Sequence, residues 1–181
     1  MEPPARRTFR VVPAHLRPEH SRRASRVIVV SEGAVLLLAD TDPGLPGSRW
    51  WVTPGGGIDP GETERDAAVR EVAEELGLMV SASQLLGPVA LREIVHGYSD
   101  RILRQHETFF VLPLAERFEP SQDGHTPDEL LTLAGWAWIE ADELDQQVEP
   151  VWPSWLARFT GDWDGVVHDF GAAEESTVPV E

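Results

Sequence analysis

The sequence predicts an α+β protein built on a mixed sheet. Three features carry that prediction: six short runs rich in β-branched residues and leucine, one strongly punctuated helix, and Asp, Gly and Pro clusters between the runs. The chain has 181 residues, 41% apolar and 25% charged, which suits one ordinary globular core. The expected division is a basic N-terminal arm over 1–21, one domain over 22–165, and an acidic, flexible tail over 166–181.

In chain order, seven arginines come first: Arg6, Arg7, Arg10, Arg17, Arg22, Arg23 and Arg26. They read as a solvated arm or as partners for acidic surface on this chain or a second subunit. "RVIVVS" (26–31) and "GAVLLLA" (33–39) read as a hairpin turning at Glu32-Gly33. "DTDPGLPGS" (40–48) is a loop, and "WWVT" (50–53) a short strand. Thr63 caps a helix from Glu64 to Leu76, Asp66 completes a capping pair, and Gly77 stops it. Ala68, Val72 and Leu76 recur at four-residue spacing and form the stripe that lies on a sheet. "PVALREIVHGY" (88–98), "ETFFVLPL" (107–114) and "LTLAGWAWI" (131–139) are further strands. "EADELDQQ" (140–147) and "WPSWLARF" (152–159) read as helices, and "GAAEESTVPVE" after Phe170 as loose chain.

Composition excludes several chemistries. Fifteen basic against 31 acidic residues give a net charge of −16, which repels a nucleic-acid backbone and argues against duplex binding. All the cations are arginine, so a Walker-type phosphate loop and Schiff-base chemistry are out. Absence of cysteine removes disulfides, thiolate zinc and cysteine nucleophiles. No apolar run nears the roughly 18 residues of a membrane helix, and the first residues lack the apolar core of a signal peptide. A soluble cytoplasmic protein is the expectation. The six histidines show no metal-ligand spacing, and Asp40 and Asp42 lack the closing glutamate of an EF-hand.

Within "GGGIDPGETERDAAVREVAEELGL" (55–78), Glu71, Glu74 and Glu75 share one helical face. Stacked carboxylates repel one another by a few tenths of a kcal/mol each, but around a hard divalent cation they become ligands, and oxygen donors of this kind suit Mg2+ or Mn2+. The preceding glycines let backbone approach a metal or phosphate closely. Written out, the pattern is Gly56, five residues, Glu62, seven residues, Arg70-Glu71-Val72, one residue, Glu74-Glu75, one residue, Gly77-Leu78.

This pattern resembles, at every defined position, the signature loop–helix–loop of the Nudix hydrolases. The resemblance covers about residues 22 to 160 and implies an α/β/α sandwich around a central mixed sheet. It implies metal-dependent hydrolysis of a diphosphate linkage in a nucleoside diphosphate derivative: a nucleoside triphosphate, a dinucleoside polyphosphate or an ADP-ribose-like compound. Glu71, Glu74, Glu75 and the Gly55 carbonyl are then the metal ligands. Arg70 orients Glu62 or Glu71, and the general base is either a box glutamate or a carboxylate in the loop before a late strand, where Glu129 is the candidate. One of Trp50 and Trp51 lines the pocket while the other packs in the core, and one of Arg92, Arg101 and Arg104 contacts phosphate. Such relatives often dimerise, so a homodimer is expected as readily as a monomer. The alternative is a silent nucleotide-binding or regulatory protein of the same fold, which usually carries a damaged box. Outside the box, the subgroup marks for coenzyme A and ADP-ribose hydrolases are missing, and Tyr98 lies near, not on, the tyrosine of dinucleoside polyphosphate hydrolases.

Overall fold

Strand β1 (Glu19–Ser31) is the axis of the molecule, and the computed structural model describes it together with the rest of residues 7–180. Arg6 and the other residues of 1–6, and Glu181 of the tail, lie outside the described residues. β1 starts at Glu19, well before the apolar run that announced it at Arg26. The reason is its partner: β6 (Ile102–Pro113) runs parallel to it from Glu19↔Ile102 to Val30↔Pro113, so ladder hydrogen bonds hold the polar, arginine-bearing half in extended form.

The other edge of β1 is shared. Its arginine half pairs with β4 (Gly55–Gly57) through Ala24↔Gly57 and Arg26↔Gly55. Its apolar end pairs with β2 (Ala34–Asp40) through Val29↔Leu36. β2 continues onto β3 (Trp50–Val52) and β7 (Leu133–Glu140), and β8 (Val151–Trp152) closes that side. β5 (Leu86–Gly97) and β9 (His168–Glu174) extend the sheet beyond β6. Among the described residues the result is a curled mixed sheet of nine strands with few helices.

The period-two alternation of β1 sorts its side chains onto two cores. Val27 and Val29 face helix α1 (Glu64–Leu76), meeting Ala68, Val72 and Leu76 as the four-residue stripe requires. Ile28 and Val30 face the other way, under Leu144, Leu156 and Phe159. That second layer differs from the expected pair of α-helices: it consists of two 3-10 turns, Ala141–Gln146 and Leu156–Phe159. Pro150 and Pro153 lack backbone donors and confine each segment to a short stretch.

The tail also departs from expectation. Residues 168–174, read from composition as loose chain, form β9, parallel to β5 with Ala90↔His168 and Val95↔Glu174 in register. The edge of β5 would otherwise offer unpaired backbone groups, and almost any sequence can satisfy them. Phe170 anchors the segment by stacking on Trp155, with ring centroids 4.1 Å apart.

Candidate active site

Helix α1 begins where Thr63 Oγ1 accepts the Asp66 backbone N–H at 3.1 Å and ends where Gly77 adopts φ +68°. Its apolar stripe is buried against the sheet, which turns Glu71 and Glu75 inward toward β4; they are only 5% and 7% exposed. Two glycines of β4 are needed here, Gly56 to make room for Glu71 and Gly55 to let the strand lie against β1. At Gly56 a Cβ would fall 2.5 Å from Glu71 Oε1. At Gly55, where φ is +138°, a Cβ would fall 2.1 Å from the Ser25 carbonyl oxygen. Gly55 N–H donates to Glu75 Oε2 at 2.7 Å.

A third carboxylate arrives from far along the chain. Glu129 opens the short helix α2 (Glu129–Thr132), and its Oε2 accepts the Thr126 N–H at 2.6 Å. One carboxylate oxygen from each of Glu71, Glu75 and Glu129 lies within 4.8 Å of the others. Burial, and then the neighbouring Glu71 charge, pushes Glu75 well above the usual carboxylate range. Burial likewise raises Glu71 against the pull of Arg70. Three converging, partly desolvated carboxylates fit a hard divalent cation, whose charge would reverse both shifts.

Arg70 braces this group from outside. Its Nε and Nη2 reach Glu62 at 2.9 and 3.0 Å, Nη1 reaches Glu71 at 2.7 Å and Glu74 at 3.1 Å, and Nη2 also reaches the Gly57 carbonyl at 2.9 Å. The hydrogen bonds from Glu62, then Glu71, raise the Arg70 pKa, and the same pairing lowers that of Glu62. Arg70 therefore serves both box glutamates expected of it.

Opposite the carboxylates stands a wall of arginine. Arg7, Arg22, Arg26 and Arg101 line a cavity of about 320 Å³ together with Tyr98, Asp40 and Asp128. Arg26 donates to Glu107 at 2.8 Å and to the Gly55 and Thr53 carbonyls at 3.0 and 3.2 Å. Arg7 forms a bidentate pair with Asp100 at 2.8 and 2.7 Å. Arg101 Nε is buried with no hydrogen-bond partner among the described residues. Burial and the adjacent Arg7 charge lower its pKa, as for a cation short of anions. Burial raises Asp40 to about 6 and Tyr98 to about 12.

The structure thus brings Gly55, Glu71, Glu75 and Glu129 together. It sets the other expected residues elsewhere. The Glu74 carboxylate is 40% exposed on the rim, held by Arg70, outside the three-carboxylate cluster. Trp50 is buried against Trp152 and Tyr98, with centroids 4.9 and 6.1 Å away, and Trp51 is buried in the second core. Neither lines the cavity. Arg92 is buried between Glu107 and Glu175 at 2.6 and 2.8 Å, and Arg104 pairs on the surface with Glu19 at 3.0 Å. Arg22 and Arg26 were not among the expected site residues, whereas Arg101, one of three arginines expected to supply a phosphate contact, does line the cavity. The two-residue strand period was the available signal, since it puts Arg22, Ala24 and Arg26 on one face once β1 is extended backward. The arm reading was too general: Arg7, Arg22 and Arg26 enter the site, while Arg23 pairs with Glu64 and Arg17 binds the tail.

Residues 20–160 match the family model described as NUDIX domain. An RNA pyrophosphohydrolase of Erythrobacter litoralis is 34% identical over 112 residues, 55% of this chain and 65% of that protein. The chain therefore spans slightly under two thirds of that relative's length. The nucleoside triphosphatase NudI of Salmonella schwarzengrund is 29% identical over 119 residues, 65% of this chain and 80% of that one. Among solved structures, the MutT protein from Bacillus halodurans superposes with a TM-score of 0.56 at 22% identity, covering 83% of this chain and 89% of that chain.

Proposed function

The chain belongs to the Nudix family, and on that premise we propose that it is a metal-dependent pyrophosphohydrolase acting on a nucleotide with a chain of phosphates. The observation that carries this reading is the juxtaposition, across one glycine-lined cavity, of three carboxylates and a set of arginines with spare hydrogen-bonding capacity.

Glu71 and Glu75 would hold Mg2+ or Mn2+, with the Gly55 carbonyl close by and the free oxygen of Glu129 facing the pair. When bound, such a cation supplies positive charge against the diphosphate as it reacts. The protein's own groups do the positioning. Arg70 fixes Glu71, and Gly55 N–H fixes Glu75. Arg22 and Arg101 offer planar donors to phosphate oxygens beyond the reacting pair. Glu129 is the proposed base: it stands at the cluster with one oxygen engaged by Thr126 N–H. Water attacks one phosphorus, its proton passes to Glu129, and the bridging P–O bond breaks, leaving with its electron pair on the departing phosphate.

The arginine wall favours nucleoside triphosphates and dinucleoside polyphosphates over nucleotide sugars, whose second half is neutral. The RNA pyrophosphohydrolase and nucleoside triphosphatase activities for which the two relatives are named agree with that preference. The test is product release from a panel of triphosphates, dinucleoside polyphosphates, ADP-ribose and nucleotide sugars, with Mg2+, Mn2+ or chelator. Metal-dependent cleavage of a polyphosphate above the sugars is expected. Chelator-resistant cleavage, or none with any compound, defeats the reading.

A further inference from the structure

We propose that the C-terminal segment completes the active site, with Glu175 as a positioning residue that acts through a buried row of alternating charges. The inference rests on the metal-site reading above. The segment lies beyond residues 20–160, which match the family.

The row has four side chains. Glu175 Oε1 accepts from Arg92 Nη1 at 2.8 Å, and Arg92 Nε donates to Glu107 Oε2 at 2.6 Å. Glu107 Oε1 accepts from Arg26 Nε at 2.8 Å, and Arg26 Nη1 donates to the Gly55 carbonyl at 3.0 Å. Gly55 in turn holds Glu75 through its N–H. A branch runs from Glu107 through Gln105 to Arg22, another residue of the cavity wall, at 3.1 and 2.7 Å.

Charge balance decides why Glu175 matters. Arg92 and Glu107 have side chains only 4% and 0% exposed. With Glu175 the row carries two cations and two anions. Without it, one carboxylate, Glu107, must serve both Arg92 and Arg26 in a medium that cannot screen them. Arg92 then draws Glu107 toward itself, Arg26 loses its fixed partner, and the Gly55 loop and the Arg22 branch loosen together.

The segment has other anchors, so the charge can be removed without undocking it. β9 pairs with β5, Arg17 donates to the Val178 and Pro179 carbonyls at 3.0 and 2.6 Å, and Thr177 Oγ1 donates to Asp42 at 2.9 Å. Ser176 Oγ accepts the Gly97 N–H at 2.7 Å and lies outside the charge row.

The experiment measures Mn2+ binding to the full chain by electron paramagnetic resonance, alongside melting temperature, for wild type, Glu175→Gln and Ser176→Ala. Glu175→Gln is expected to bind Mn2+ roughly tenfold more weakly, while Ser176→Ala, which only loosens the segment, binds as wild type does. Wild-type affinity in Glu175→Gln, or an equal loss in both variants, overturns the inference and leaves the metal reading standing. Failure of the wild type itself to bind Mn2+ overturns the metal reading and the inference with it.

Discussion

Gly56 lies against Glu71 so closely that a Cβ at position 56 would sit 2.5 Å from Glu71 Oε1 and 2.8 Å from its Cδ. The glutamate is buried and tied to Arg70, so it has little room to retreat. Gly56→Ala should therefore displace the carboxylate rather than unfold the chain. The expected loss in kcat/KM is on the order of 100-fold, the usual consequence of misplacing a catalytic group by about 1 Å. Steady-state kinetics beside a melting curve checks it; unchanged kinetics would mean the loop yields instead.

Glu75→Gln keeps the shape and removes the charge. Burial has already raised the proton affinity of this carboxylate, so the metal-free fold loses little and keeps its melting temperature within a few degrees. Turnover should drop by more than roughly 100-fold, because a ligand is lost. Turnover close to wild type would remove Glu75 from the metal site.

Arg70→Lys replaces a planar fork with a point charge. Arg70 contacts Glu62, Glu71, Glu74 and the Gly57 carbonyl, a set one ammonium group cannot span. A stability loss of about 2 kcal/mol in urea unfolding and weaker Mn2+ binding are expected together. A variant with neither would show that α1 alone orients the glutamates.

Arg101→Gln tests the arginine wall. If Arg101 meets a phosphate beyond the reacting pair, KM for a triphosphate rises about tenfold, worth about 1.4 kcal/mol, while KM for ADP-ribose hardly moves. Equal changes for both substrates would place Arg101 outside phosphate selection.

Acid stability follows from His96. Burial against Tyr98 and Trp152 lowers its pKa from 6.5 to about 4. Below pH 6.5 the unfolded chain takes up a proton that the native fold refuses. The His96 contribution is thus full above pH 6.5 and is lost as the pH falls toward 4, by about 3 kcal/mol in all. Glu107 extends the decline: burial would raise it, but Arg26 and Arg92 outweigh that and hold it at about 2, so its contribution goes between pH 4.5 and 2. Asp40 and Glu75, whose pKa values are raised, gain stability over the same range, so the reading is a difference: the urea midpoint of His96→Gln should rise relative to wild type from pH 7 to 6 to 5. Matching slopes would clear His96.

The sequence by itself determined helix α1 to the residue, its caps, its sheet-facing stripe and the common face that carries Glu71 and Glu75. These are local matters: a Thr63 cap, a glycine that adopts φ +68° without strain, and a four-residue period act within one turn or two. Tertiary structure alone decided the rest. Glu129, until then only a loop candidate drawn from the family resemblance, joins the cluster because the loop before β7 folds back over α1, and Glu74 leaves it because the packed stripe rotates that position to the rim. Arg22 and Arg26 become a cavity wall because β6 extends β1 through a polar stretch that has no strand signal of its own. Trp50 and Trp51 go to packing, and an acidic tail becomes a strand, because an open sheet edge and an unfilled core select by shape and backbone pairing, which composition does not encode.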